Sequence, residues 1–276
     1  MPWHAHLSLH YTSQGQRTVL QHAHDGPLRV FKSLYPEGDA VCHNVIVHPP
    51  GGLVGGDVLD IGVRVGRGAH GLVSTPGATR FYAADGQPAT QRVDIALAEG
   101  ARLEWLPLEA IAYPGCEAVN HWRATLAPGA ELMAWDVTAL GLPAAGQAFD
   151  SGRVHQRMEI PGLWLEQARI DAADRPLLEA PLGLGGRRCL GTMVLACGSP
   201  LGRERREALL DVARGALSGA SADVTAGATC PNDRLLAVRA VAPVVEPLMA
   251  CLQAVWTALR PVAWDRPGQP PRIWQV

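Results

Sequence analysis

Lysine is almost missing from this chain of 276 residues. Lys32 stands alone, and arginine supplies the rest of the 24 basic side chains. Against 26 acidic residues the net charge is −2, so there is no basic excess to seek nucleic acid or an anionic membrane. Cys-x-x-Cys is missing too. The six cysteines (Cys42, Cys116, Cys189, Cys197, Cys230 and Cys251) are scattered, most of them in apolar surroundings. Such thiols pack as small hydrophobes and fit a reducing compartment. No apolar run reaches the roughly 18 residues of a spanning helix. Met1-Pro2-Trp3-His4 lacks the charged and then apolar start of a secretory leader. The expectation is a cytoplasmic protein that partners neither nucleic acid nor membrane.

Catalytic signatures are lacking as well. G-x-S-x-G and H-E-x-x-H do not occur, and Ser74 and Ser151 have no base nearby in sequence. No carboxylate pair stands out as an acid–base couple. What is plentiful is core-forming material: 47% hydrophobic against 18% charged residues. One domain over residues 1–276 is expected, with a β body over about 1–200 and a helical element and tail over about 201–276.

The chain is organised around His48-Pro49-Pro50-Gly51-Gly52-Leu53-Val54-Gly55-Gly56-Asp57. Apolar Val41–Val47 feeds into this stretch and the alternating run Val58–Val65 leaves it. Pro49 and Pro50 cannot sit mid-ladder, whereas the paired glycines permit positive φ and close approach. A structural turn between two strands is the first reading. The competing one is a phosphate cradle over Gly51–Asp57 in a nucleotide- or small-molecule-binding enzyme. Against it, the spacing is GGxxGG, no helix pattern follows, and the P-loop Lys-Ser/Thr pair is missing.

Histidine is concentrated early, with seven of ten in the first 48 residues. In Trp3–Tyr11, Ala5, Leu7, Leu9 and Tyr11 alternate with His4, His6, Ser8 and His10, the period of a strand. Three imidazoles on one face could hold a metal, which would make this a plain metal-binding module. A solvated edge strand explains the same pattern and is preferred. His22 and His24 repeat the alternation, and His43 and His48 follow.

Gly68, Gly100, Gly129 and Gly162 recur at intervals of about 30 residues, each between two alternating runs. The local sequences are Arg67-Gly68-Ala69, Glu99-Gly100-Ala101, Pro128-Gly129-Ala130 and Pro161-Gly162-Leu163. The fold expected is mainly β: solenoid-like stacked β-hairpins, each burying its apolar face on the next. A small two-helix element near the C-terminus completes it. The first helix is expected over Gly202–Leu217. In the second, Leu248, Cys251, Leu252, Val255, Trp256 and Leu259 hold helical spacing, with Pro247 near its start and Pro261 just past its end. Leu235–Val241 reads as one more strand.

Acidic residues lie in or beside the strands: Asp57, Asp60, Glu104, Glu109, Asp136 and Glu166. Pointing outward they would simply be hydrated. An inward row would need pairing, water or a cation, and would line a wet, cation-selective passage. Alternation alone does not choose the face.

His48–Asp57 (HPPGGLVGGD), Ser74–Tyr82 (STPGATRFY), Leu103–Ile111 (LEWLPLEAI) and Pro271–Trp274 (PRIW), in this order, closely resemble the UreD (UreH) family of urease accessory proteins. The resemblance runs from Gly26-Pro27-Leu28 to the tail. It implies a non-enzymatic chaperone that binds apo-urease and recruits a UreF-type adaptor, through which a UreG-type GTPase docks for GTP-dependent nickel insertion. It also implies Ni²⁺ in transit through an internal tunnel, with no tightly bound cofactor. Under that implication Asp57 and Glu109 are the first candidates to line the route, followed by Glu104 and Asp136, with His43 and His48 as transient stops. Leu248, Val255 and Trp256 of the second helix and Arg272 and Trp274 of the tail are the candidates for partner contact. One loop departs from the family's G-R-P-A-R-G-E: here it reads Gly141-Leu142-Pro143-Ala144-Ala145-Gly146-Gln147, so Leu142, Ala145 and Gln147 replace charged residues.

Overall fold

Alternating runs joined by glycine turns wind this chain into a coil. The computed structural model describes residues 2–275. The chain begins with β1 (His4–Gln14) and β2 (Arg17–Asp25), which pair antiparallel, then crosses through β3 (Arg29–Val30) to β4 (Val41–Val47). Next come β5 (Val58–Val65), β6 (His70–Ser74), β7 (Thr79–Phe81), β8 (Ala89–Leu97) and β9 (Arg102–Trp105). They are followed by β10 (Ala110–Ala112), β11 (Cys116–Leu126) and β12 (Glu131–Leu140). β13 (Gly152–Ile160) and β14 (Trp164–Asp171) precede a short helix, α1 (Arg175–Glu179), and β15 (Cys189–Cys197). The last part holds α2 (Arg203–Ser218), β16 (Thr225–Asn232), β17 (Leu235–Ala242) and α3 (Val245–Trp264).

Successive strands are dealt alternately to two facing sheets. One has the order β14-β13-β11-β8-β5-β1-β2, and the other runs β16-β17-β15-β12-β9-β6-β4-β3 with β7 and β10 attached. Within the coil the neighbours are parallel: β5, β8 and β11 in one sheet, β6, β9 and β12 in the other. The result is a β-solenoid of about four turns.

The repeat glycines build this coil, and one detail differs from the expectation. After Gly68, Gly100 and Gly129 the chain does not return beside itself as a hairpin; it turns a corner into the other sheet. The pairing partner of each strand is one turn away, so strand alternation looks the same locally in both geometries. Ala69, Ala101 and Ala130 after these glycines are fully buried, and their amides bond back to Gly66, Ala98 and Ala127 at 3.0–3.1 Å. At Gly162 the next residue is Leu163 in place of alanine, and there β13 and β14 do form an antiparallel hairpin. Gly100 has φ +66°, and a Cβ there would meet nothing within 4 Å. Gly100→Ala should therefore cost about 1–2 kcal/mol from left-handed strain alone, measurable by urea unfolding.

Two cores result. One fills the lumen between the sheets; the other lies under α2 and α3 on the outer face of the ten-stranded sheet. β12 belongs to both, which is why all ten of its residues are buried. Leu132 and Ala134 face the lumen, whereas Met133 and Trp135 face the helices.

Three sequence expectations need correction. α3 does not stop before Pro261 but continues to Trp264, closing with an Asp265 amide bond to the Pro261 carbonyl at 3.0 Å. Buried partners of Arg260 and Trp264 hold that last turn despite the proline. Leu248, Val255 and Trp256 are each 0% exposed, so they pack α3 onto the sheet and present nothing to a partner. β1 is not an edge strand, because β5 and β2 flank it. Its His4, His6 and His10 do point to solvent, but His22 and His24 stand opposite the inward Leu9 and Leu7. The histidines are thus divided between faces, and no three His, Cys, Asp or Glu among the described residues converge on a possible cation.

Candidate functional site in the solenoid lumen

Most inward positions of the coil are apolar, but one band across it is polar. Its mouth is a cavity of about 230 Å³ between the His48–Leu53 turn and the Thr75–Arg80 loop, with Gln91 and Trp105 in its wall. His48 lines this cavity, and its Nε2 is buried without a hydrogen-bond partner. Burial lowers the pKa of this imidazole, partly opposed by the charge of Asp57.

From the mouth a file of side chains leads inward. Gln91 donates to Asn120 Oδ1 at 3.1 Å, and Asn120 donates to Asp136 Oδ2 at 2.9 Å. Gln156 donates to Asp136 Oδ1 at 2.5 Å, and Thr138 lies 3.5 Å from the same oxygen. Asp136 is 6% exposed and its pKa is pushed up to about 6, chiefly by burial; the donors of Gln156, Thr138 and Asn120 restrain the rise and Glu166 adds to it. A carboxylate surrounded by amides and without an adjacent cation is unusual in an interior.

The file ends at Glu166. Thr192 donates to Glu166 Oε1 at 2.6 Å, and Arg239 Nε donates to Oε2 at 2.7 Å. Asp136, Thr192 and Arg239 are register partners across β12, β15 and β17, so one row of the ten-stranded sheet carries all three. Glu166 comes from β14 on the facing sheet.

The other candidate carboxylates are elsewhere. Asp57 is 2% exposed, and its two oxygens accept from the Trp3 and Val54 amides at 2.7 and 2.9 Å. It pins the first strand to the turn at the mouth. Glu109 lines a separate pocket of about 180 Å³ with the Gly141–Ala145 loop and Glu246; burial first, and then Glu246, raise its pKa.

Glu104 and His43 face the helices, outside the lumen, in a buried ionic network. Arg260, 0% exposed, bridges Glu37 at 2.7 and 3.0 Å and Glu104 at 3.1 Å. His43 pairs with Glu37 at 2.7 Å and His70 with Glu104 at 2.8 Å, while the Trp256 indole donates to Glu104 at 2.7 Å. Every oxygen of both glutamates has a partner, so this network fastens α3 to β4, β6 and β9. In the tail, Arg272 is exposed; Trp274 is half-buried against Trp135 and Trp256 and donates to Ser74 at 2.9 Å.

Of the six sequence candidates for a route, the lumen thus brings together His48 at the mouth and Asp136 inside. Sequence pattern alone does not single out Gln91, Asn120, Gln156 and Thr192. Their signal is present, since Asn120 is a polar residue at the inward parity of Ala118, Trp122 and Ala124. No neighbour in sequence distinguishes it from a solvated one.

The phosphate-cradle reading fails on geometry. The Gly51–Asp57 turn joins β4 to β5, a strand, and offers no helix N-terminus to an anion.

The model of the family described as UreD urease accessory protein matches residues 4–275. The urease accessory protein UreD of Albidiferax ferrireducens is 57% identical over 276 residues, covering the whole of both chains. That of Variovorax paradoxus is 55% identical over 274 residues, 99% of each chain. That of Methylibium petroleiphilum is 45% identical over 296 residues, again with both chains fully covered.

Proposed function

Because this chain belongs to the family of UreD urease accessory proteins, we propose that it escorts Ni²⁺ through its lumen towards apo-urease. Its role is in urease maturation, alongside urease and other accessory proteins, in a family not known for enzymes. Under this reading it binds apo-urease and a UreF-type adaptor, and a UreG-type GTPase docks through that adaptor. Arg272 and the exposed part of Trp274 are the remaining candidates for a partner-facing surface. No helix among the described residues is long and apolar enough to cross a membrane, and the work is proposed to be cytoplasmic.

The observation that carries the route is Asp136. A divalent cation beside it offsets the charge that burial penalises, and the amide oxygens of Asn120 and Gln156 can turn towards the cation as hard donors. One carboxylate with neutral donors holds Ni²⁺ weakly, which suits passage better than a thiolate or multi-imidazole cage. His48 stays neutral at pH 7 because burial opposes its protonation, so its lone pair is available at the mouth. Asp57 supports the mouth by holding the turn, and Glu104 and His43 support the wall by holding α3.

The proton and the cation compete for Asp136. With its pKa near 6, the carboxylate is mostly ionised at pH 7 and mostly protonated at pH 5. Complex-assisted nickel loading of apo-urease should therefore decline across that interval, measured against unassisted loading at each pH. With Asp136→Asn the assisted component should be low and flat with pH. A wild-type assisted component that holds steady from pH 7 to 5 would remove Asp136 from the route.

A further inference from the structure

The solvent end of the polar file is closed by an ion pair, and one member of that pair is half exposed. Glu166 is at the same inward parity of β14 as the buried Ile170, and its side chain is 21% exposed. Arg239 on β17 is 54% exposed and reaches across from the other sheet with both Nε and Nη2 on Oε2. The remaining oxygen is taken by Thr192. A cation moving between Asp136 and bulk water at this end meets a carboxylate whose oxygens are occupied. It also meets a guanidinium of its own sign. Guanidinium and divalent cation compete for Oε2, because two Arg239 donors already fill its acceptor positions and the two charges repel.

Resting on the lumen route proposed above, we infer that Arg239 gates the lumen at Glu166, excluding divalent cations until the guanidinium swings out to solvent. Its exposure makes that movement cheap. The half-exposed pair is screened by water, so its opening costs little compared with breaking the buried Arg260 pairs. Glu166 released from Arg239 keeps Thr192 as an orienting donor on Oε1 and has Oε2 free for a cation, with Asp136 the next carboxylate in the file. Arg239 is thus a positioning residue: it controls the availability of Glu166 and makes no bond to the cargo itself.

The test is calorimetric titration of the purified full chain with Ni²⁺ alone at pH 7.5. Arg239→Gln should bind Ni²⁺ about tenfold tighter than wild type, the scale of one displaced charge-assisted competitor. Arg239→Gln with Glu166→Gln should lose that gain. Arg239→Lys, which keeps length and charge but not the fork, should fall between and covers the case in which glutamine disturbs β17. Unchanged Ni²⁺ affinity in either folded variant, with far-UV dichroism like that of wild type, overturns the gate.

Adding Asp136→Asn separates the gate from the route. If the gain from Arg239→Gln survives Asp136→Asn, the gate stands and the Asp136 route fails. If Asp136→Asn lowers urease loading but Arg239→Gln changes no affinity, the route stands and the gate fails.

Discussion

Glu104→Ala should be among the most destabilising single substitutions in this chain, lowering unfolding free energy by about 3–5 kcal/mol, the usual effect of breaking a buried ion pair. The change leaves Arg260, which is 0% exposed, with only Glu37 and the Pro267 carbonyl, and it strands the His70 ring and the Trp256 indole. The melting temperature should fall by about 10 °C on the scaling for a domain of this size. Glu104→Leu together with Glu37→Leu and Arg260→Met should recover part of the loss, since replacing all three members of the bridge leaves no orphan charge. A loss below about 1 kcal/mol for Glu104→Ala would show that water reaches the network and screens it.

The same network sets an acid limit on stability. Burial alone would raise the pKa of Glu37, but His43 and Arg260 outweigh it and hold the group at about 2, below its ordinary 4.5. A depressed carboxylate pKa means that the folded state binds fewer protons than the unfolded one over that interval. The stability contributed by Glu37 is therefore complete above pH 4.5 and lost as pH falls towards 2. Glu104 is shifted in the same direction, with His70, Arg260 and Trp256 overcoming its burial.

For function, the largest effect is expected from Asp136→Ala. Nickel per urease active site, measured by mass spectrometry of metal content after complex-assisted activation, should drop at least about tenfold, the loss of one charged ligand from a transit site. Pull-down of the complex should be unchanged, because Asp136 is 6% exposed and offers no surface to a partner. Normal loading by Asp136→Ala would refute the route. Asp57→Ala should behave differently: it removes the caps on the Trp3 and Val54 amides and costs about 1 kcal/mol per lost bond, with its effect on loading following stability.

What could be read without coordinates was whatever depends on near neighbours. Strand periodicity, the glycine interval, the amphipathic spacing of α3 and the four motifs that point to the family are all local patterns. Backbone sterics and the 2.0 and 3.6 residue periods make such patterns legible. Tertiary structure decided everything that depends on partners far apart. Gly100 turns a corner, and does not close a hairpin, because the partner of each strand lies one whole turn of the coil away. Glu104 and Asp136 look alike as strand carboxylates, yet one faces α3 and the other the lumen. Glu104 is charged under α3 because Arg260 arrives from 156 residues later, whereas Asp136 meets only amides, a hydroxyl and the nearby Glu166. The cost of burying a charge depends on what surrounds it, and only folding brings those surroundings together.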